Sequence, residues 1–223
     1  MTWIKICGTT NLEDAQTAVD SGADALGFVF YEKSPRNIDP DKAGEIVAAL
    51  PQNIEKVGVF VTHSSEEIAK LANRIGLTAA QLHRGDHSRA TENDMASLKG
   101  RGLKLIAVIP AEIPDQSTGI FLGQETTKNV FALMFDSSSA VSPGGTGKIF
   151  NWQQAEGMIQ AVSMRITVIV AGGLNSRNVT EAIKVFQPFG VDVVSGVESS
   201  PGKKDPEKVR AFIQAVRAAD RTA

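Results

Sequence analysis

Short apolar runs recur along this chain, and stretches with helical spacing lie between them. Runs at Trp3–Cys7, Ala25–Phe30, Val57–Val61, Ala79–Leu82, Leu103–Ile109, Val130–Phe135, Ile166–Ala171 and Val191–Val194 are predicted as strands. They are continuous and rich in Val, Ile and Ala, as expected of strands buried on both faces of a parallel sheet. The first intervening helix is predicted over Leu12–Ser21, where Asn11 can cap and Ala15, Ala18 and Val19 share one face. Gly22 ends it, because glycine readily takes the left-handed conformation just past a helix. Asp39-Pro40 opens a second helix running to about Leu50, with proline where no amide hydrogen is needed. Ser64 and Glu67 form a capping box for the third. Further helices are predicted near 91–99, at 151–162 behind the cap Asn151, from the cap Ser176 to Phe186, and from Asp205-Pro206 to about Ala219. The stretch 111–128 has no clean helical face, so a fifth helix is expected to be distorted or absent.

Eight strands alternating with helices in 223 residues point to a single (β/α)8 barrel domain over 1–223. An open doubly wound sheet shows a similar pattern but wants a glycine-rich turn after strand one, which Gly8-Thr9-Thr10 does not supply. No linker or low-complexity segment divides the chain.

Composition narrows the setting. The chain is 42% hydrophobic and 22% charged with a formal net charge of -2, which gives no electrostatic footprint for nucleic acid. Cys7 stands alone, so no internal disulfide can form, and a reducing compartment fits. No apolar run approaches the roughly 18 residues of a membrane helix, and MTWIKICG is too short and strand-like for a signal peptide. A cytoplasmic protein without nucleic-acid or membrane partners is expected.

In such a barrel the chemistry sits at the C-terminal ends of the strands. The polar residues placed there are Lys5 and Cys7, Arg36 in the turn after strand two, Gln81 and His83, Asp136, Gly172-Gly173, and Ser195-Gly196; of these Lys5, Arg36, Gln81 and His83 are expected to touch substrate. Glycine pairs after strands seven and eight let backbone amides approach an anion unobstructed, and a short helix after Gly196 would aim its positive end at the same point. Gly144-Gly145-Thr146-Gly147 adds a third wall to this expected phosphate cradle. Each pair alone reads as a turn; their coincidence at those strand ends carries the phosphate reading. A lone cysteine is often a small buried hydrophobe. Here it has Lys5 on the same strand face, and a nearby cation lowers a thiol's pKa and makes it a nucleophile or general base. Asp136 reads as a turn residue or, in an apolar setting, as a protonated acid. A base and an acid across one barrel mouth suit an isomerase. A stiffened Arg36 fork suits a carboxylate. Three scattered histidines and one cysteine give no metal-ligand spacing, so no metal is expected.

The stretches KICGTT, GADALGFVF, KSPRNI, VGVFV, QLH, FDS, GGTGK, AGGL with the following NV and AI, GVDVVSGVE and PGKKD together resemble the phosphoribosylanthranilate isomerase family over residues 5–205. The resemblance implies an Amadori rearrangement of N-(5-phosphoribosyl)anthranilate to 1-(2-carboxyphenylamino)-1-deoxyribulose 5-phosphate, a step of tryptophan biosynthesis. It implies Cys7 as the general base at C2′ and Asp136 as the general acid at the ring oxygen. It also implies Arg36 on the anthranilate carboxylate and the phosphate held by Gly145, Gly173 and Ser195-Gly196. The iminium formed on ring opening is the electron sink, so no cofactor is implied. A small phosphorylated substrate and a monomer or homodimer are expected. Two departures stand out. Arg84 separates His83 from Gly85, where glycine normally follows the histidine, and Asn151 stands where an Asp is usual. The competing expectations are indole-3-glycerol-phosphate synthase, which wants a lysine-rich catalytic face, a flavin-binding barrel, and a non-catalytic sugar-phosphate binder.

Overall fold

A computed structural model describes residues 1–83, 92–111, 128–137 and 151–221. Eight parallel strands close into a barrel in chain order: β1 (Trp3–Cys7), β2 (Ala25–Phe30), β3 (Glu55–Phe60), β4 (Ala79–Leu82), β5 (Lys104–Pro110), β6 (Ala132–Asp136), β7 (Val168–Val170) and β8 (Gly190–Val193). Around them lie α1 (Leu12–Ser21), α2 (Pro40–Ala49), α3 (Ser65–Ile75), α4 (Glu92–Gly100), α5 (Trp152–Ser163), α6 (Val179–Phe186) and α7 (Pro206–Asp220). The expected distortion of a fifth helix falls on 112–127, outside the described residues. None of the described helices is long and apolar enough to cross a membrane.

Most helix starts follow their capping residues. Asn11, Asp39, Ser64, Asn151 and Asp205 each accept a backbone N–H of the first turn, and Ser64 with Glu67 completes the capping box. Ser176 does not cap α6. That helix begins at Val179, and the side chain of Asn178 bonds instead to Asn175 N and Gly173 O, bracing the loop after β7. No full helix follows Gly196 either. One 3-10 turn, Ser195–Val197, leads into a small antiparallel hairpin of β9 (Glu198–Ser200) and β10 (Lys203–Lys204) that the apolar pattern gave no hint of.

The two-residue strand period sorts side chains into two cores. Ile4 and Ile6, Leu133 and Phe135, and Val191 and Val193 point outward and pack under the helices. Ala25, Val57, Ala79, Ile106, Ala132, Met134, Ile169 and Ala171 pack inside the barrel. The same parity carries Lys5 and Cys7, Gln81 and His83, Asp136, and Asp192 to the inside. Lys5 and Asp192 are register partners on neighbouring strands, and Lys5 Nζ donates to Asp192 Oδ1 at 2.7 Å with the lysine fully buried. Taking either charge alone out of water would be costly; together they neutralise one layer of the barrel floor.

Candidate active site

One cavity at the C-terminal ends of the strands is lined by Cys7, Arg36, Gln81, His83, Asp136 and Asp192, with Val29, Val59, Val61 and Val194 as its apolar wall. Cys7, Gln81, His83 and Asp136 arrive there because each extends an inward-facing row of its strand. Room for the thiol comes from the neighbouring strand. A Cβ on Gly27, the register partner of Cys7, would stand 2.5 Å from Sγ.

Lys5 does not reach the cavity. It was expected to touch substrate, but its side chain is fully enclosed one layer down, beneath Cys7 and against Asp192. Burial would lower its ammonium pKa, yet the charges and hydrogen bonds of Asp192 and Cys7 hold it above the ordinary value. The expected net lowering of the Cys7 thiol is not met. Burial pushes the thiol up, Asp192 adds to that, and Lys5 and Lys204 pull it back without overcoming it. Burial likewise drives the His83 imidazole below its ordinary range, with Lys5 adding and Asp136 and Asp192 opposing, so the ring is neutral at pH 7. Gln81 lines this cavity, and its side-chain oxygen is buried with no hydrogen-bond partner among the described residues.

Arg36 is held rather than solvated. Its Nε and Nη2 donate to Glu198 at 2.9 and 2.7 Å, and Lys204 Nζ donates to the same carboxylate at 3.0 Å. Its side chain crosses directly over Gly8, where φ is 78° and a Cβ would stand 2.8 Å from Arg36 Cδ. Asp192, Glu198 and Lys204 were not singled out from the sequence. For Asp192 the available signal was a single charge at an inward position of an apolar strand, in GVDVV; Glu198 and Lys204 lie in the short polar hairpin, which carries no such signal.

Gly172-Gly173 and Ser195-Gly196 are half-exposed and do not line the cavity itself. Their loops press together. A Cβ on Gly172 would stand 2.4 Å from Ser137 N at the end of β6, and one on Gly196 would stand 1.9 Å from Leu174 O in the loop after β7. Gly172 and Gly173 have φ of 86° and 67°, open only to glycine at low cost. Three strand ends thus meet backbone to backbone, where amide hydrogens can face an anion. Gly145 lies outside the described residues. Among the described residues no group of three or more His, Cys, Asp or Glu could hold a metal ion.

A closed eight-stranded parallel barrel with a thiol, a carboxyl and a guanidinium in one cavity at its strand ends defines the class: a single-domain (β/α)8-barrel enzyme. The model of the N-(5′-phosphoribosyl)anthranilate isomerase family matches residues 4–215. The chain is 43% identical to the N-(5′-phosphoribosyl)anthranilate isomerase of Chlorobaculum parvum over 99% of this chain and 97% of that one. It is 46% identical to that of Geotalea uraniireducens over 96% and 98% of the two chains. The structure of the Thermotoga maritima phosphoribosyl anthranilate isomerase superimposes with a TM-score of 0.84 at 37% identity, covering 98% of this chain and all of the other. A structure of phosphoribosyl anthranilate isomerase in complex with reduced 1-(o-carboxyphenylamino)-1-deoxyribulose 5-phosphate gives 0.81 at 36% identity, with 98% and 100% covered. The chain belongs to the N-(5′-phosphoribosyl)anthranilate isomerase family.

Proposed function

We propose that this protein converts N-(5′-phosphoribosyl)anthranilate to 1-(2-carboxyphenylamino)-1-deoxyribulose 5-phosphate, with Cys7 as base and Asp136 as acid. The observation that supports this most is the shared cavity, in which the only thiol and the Asp136 carboxyl line one wall-to-wall space. Asp136 gives a proton to the furanose oxygen, the C1′–O bond breaks, and the anilino nitrogen's lone pair makes the iminium. The Cys7 thiolate then takes the proton from C2′, and the electron pair of that C–H bond flows to the iminium, giving the enolamine. Transfer of the enol proton and protonation at C1′ complete the ketone, with no external oxidant or cofactor. Arg36 takes the carboxylate on the aromatic ring, which rests against Val29, Val59 and Val61. Gln81 accepts a ribose hydroxyl, and neutral His83 adds a further hydrogen bond. The touching glycine loops after β7 and β8 hold the phosphate. The protein acts as a monomer or homodimer in the cytoplasm.

An indole-3-glycerol-phosphate synthase reading needs a lysine free to face the substrate, and Lys5 is enclosed by its pair with Asp192. The direct test follows the fluorescence of phosphoribosylanthranilate generated in solution. Purified protein should extinguish it at a rate proportional to enzyme, and no acceleration would end the proposal.

Two further outcomes follow from the geometry. Gly196→Ala drives a methyl into Leu174 O, so the loops after β7 and β8 must part. Losing one or two charge-assisted bonds to phosphate should raise KM roughly ten- to hundredfold with a smaller change in kcat. Steady-state kinetics check it. Lys5→Met removes a charge that favours the thiolate and leaves the opposing Asp192 charge in place. The thiol pKa therefore rises further. The acid limb of the kcat/KM profile should move to higher pH, with activity partly recovered in alkaline buffer. An unmoved limb would separate Lys5 from the chemistry of Cys7.

A further inference from the structure

Glu198 sits behind the cavity and not in it. Its Oε1 accepts Arg36 Nε at 2.9 Å, Lys204 Nζ at 3.0 Å and Gly202 N at 3.2 Å, and its Oε2 accepts Arg36 Nη2 at 2.7 Å. Glu198, Arg36 and Lys204 are all buried. Burial alone would raise the carboxyl's pKa, but Arg36 and Lys204 hold it below its ordinary value, so it is ionised across the neutral range. Burial lowers the Lys204 ammonium pKa while Glu198 opposes it, and the Arg36 guanidinium keeps donors beyond those Glu198 takes, enough for one further carboxylate. A buried ion cluster is a poor stabilising device compared with apolar packing of the same volume, so stability is a weak reason for this arrangement.

The geometry gives a better one. A guanidinium offers a side edge, Nε with Nη2, and an end edge, Nη1 with Nη2. Glu198 takes the side edge. Lys204 fixes Glu198 in turn, and its Nζ also donates to Cys7 O at 2.5 Å and lies 3.5 Å from Val194 O, at the ends of β1 and β8. Lys204 N is itself tied to Asp14 Oδ2 at 2.7 Å near the start of α1. The hairpin thus locks the orientation of the cavity's guanidinium to the strand that carries the thiol.

We propose that Glu198, anchored by Lys204, is a positioning residue that occupies the side edge of Arg36 and presents its end edge to the carboxylate on the substrate's aromatic ring. This rests on the reading of Arg36 as the carboxylate's partner. The consequence is selective. Loss of Glu198 should harm recognition of ligands that carry the ring carboxylate and spare those that lack it.

The test titrates two ligands: reduced 1-(2-carboxyphenylamino)-1-deoxyribulose 5-phosphate, and the same reduced compound without the ring carboxyl. Each is measured against the unmodified chain, Glu198→Gln, Arg36→Ala and the double variant. Glu198→Gln should weaken the carboxylated ligand about tenfold, as for a misaligned charge-assisted bond, and the other by less than about twofold. In the Arg36→Ala background the Glu198 change should cost nothing more for the carboxylated ligand, because it acts through Arg36. Equal weakening of both ligands, or the same cost with and without Arg36, would reduce Glu198 to a structural group and overturn the proposal. If Arg36→Ala fails to distinguish the two ligands, the carboxylate reading of Arg36 fails, and the positioning role fails with it. Should Glu198→Gln not fold, Glu198→Asp keeps the charge but draws it back by one methylene, and the same contrast between ligands decides.

Discussion

Cys7→Ala is expected to lower kcat by about 10²- to 10⁴-fold, the range for loss of a positioned general base, equivalent to about 3–5 kcal/mol of barrier. The fold should survive it. Cys7 is nearly buried, and the methyl left by alanine opens a gap of one sulfur atom beside Gly27, costing about 1 kcal/mol of stability. Binding should survive as well, because the groups assigned to the carboxylate and phosphate stand elsewhere in the site. The variant should therefore bind the reduced product analogue within a few-fold of the unmodified chain while turning over almost nothing. Cys7→Ser tests the chemistry more narrowly. A serine hydroxyl fits the same space, but its far higher pKa leaves almost no alkoxide, so its activity should fall nearly as far. Near-normal turnover in either variant would remove Cys7 from the reaction. Because burial lifts the thiol above its ordinary value, the unmodified enzyme should gain activity as pH rises through that pKa.

Much of the barrel can be read in the apolar runs, because parallel strands buried on both faces cannot hide. β2 and β4 match their runs at both ends, whereas β3 and β5 differ at theirs. β3 starts at Glu55, two residues before its apolar run, where Lys104 Nζ of β5 reaches Glu55 Oε1. Polar side chains are tolerated at that wet rim, and a hydrophobicity criterion stops short of them. The candidate site divides in the same way. Cys7, Asp136 and His83 announce themselves as polar residues ending apolar strands. Asp192, Glu198 and Lys204 matter through partners 187, 162 and 197 residues away in the chain, pairings that no local window contains. One clue was present. Lys5 in WIKIC and Asp192 in GVDVV are opposite charges buried in apolar strands that must be neighbours once the barrel closes, and each alone would be an uncompensated charge. The misjudged cap of α6 has a similar origin. Asn175, Ser176 and Asn178 are all competent caps, yet the helix starts after Asn178 without a side-chain cap, because the Asn178 side chain is taken up by Asn175 N and Gly173 O.

Asp136→Asn should be nearly as damaging as loss of the thiol, with kcat down about 10²- to 10⁴-fold, and for a reason that excludes the obvious substitute acid. Asn keeps the size of the side chain, and the backbone of residue 136 keeps its bond from Ala111 N at 2.8 Å, so the end of β6 should stay in place. What is lost is a proton that can be delivered to the furanose oxygen, since an amide does not give one up at a useful pKa. His83 shares the cavity and is the natural candidate to stand in. Burial keeps its ring neutral, however, and Asp136 is one of the two carboxylates that favour its charged form. With the ring held neutral by burial, the variant has little imidazolium available near neutrality. Activity in Asp136→Asn should therefore stay low from neutral to alkaline pH and recover only weakly on acidification, while the reduced product analogue still binds. Recovery to within tenfold of the unmodified rate at mildly acidic pH would transfer the acid role to His83, and His83→Asn made in the same background would then abolish what remained.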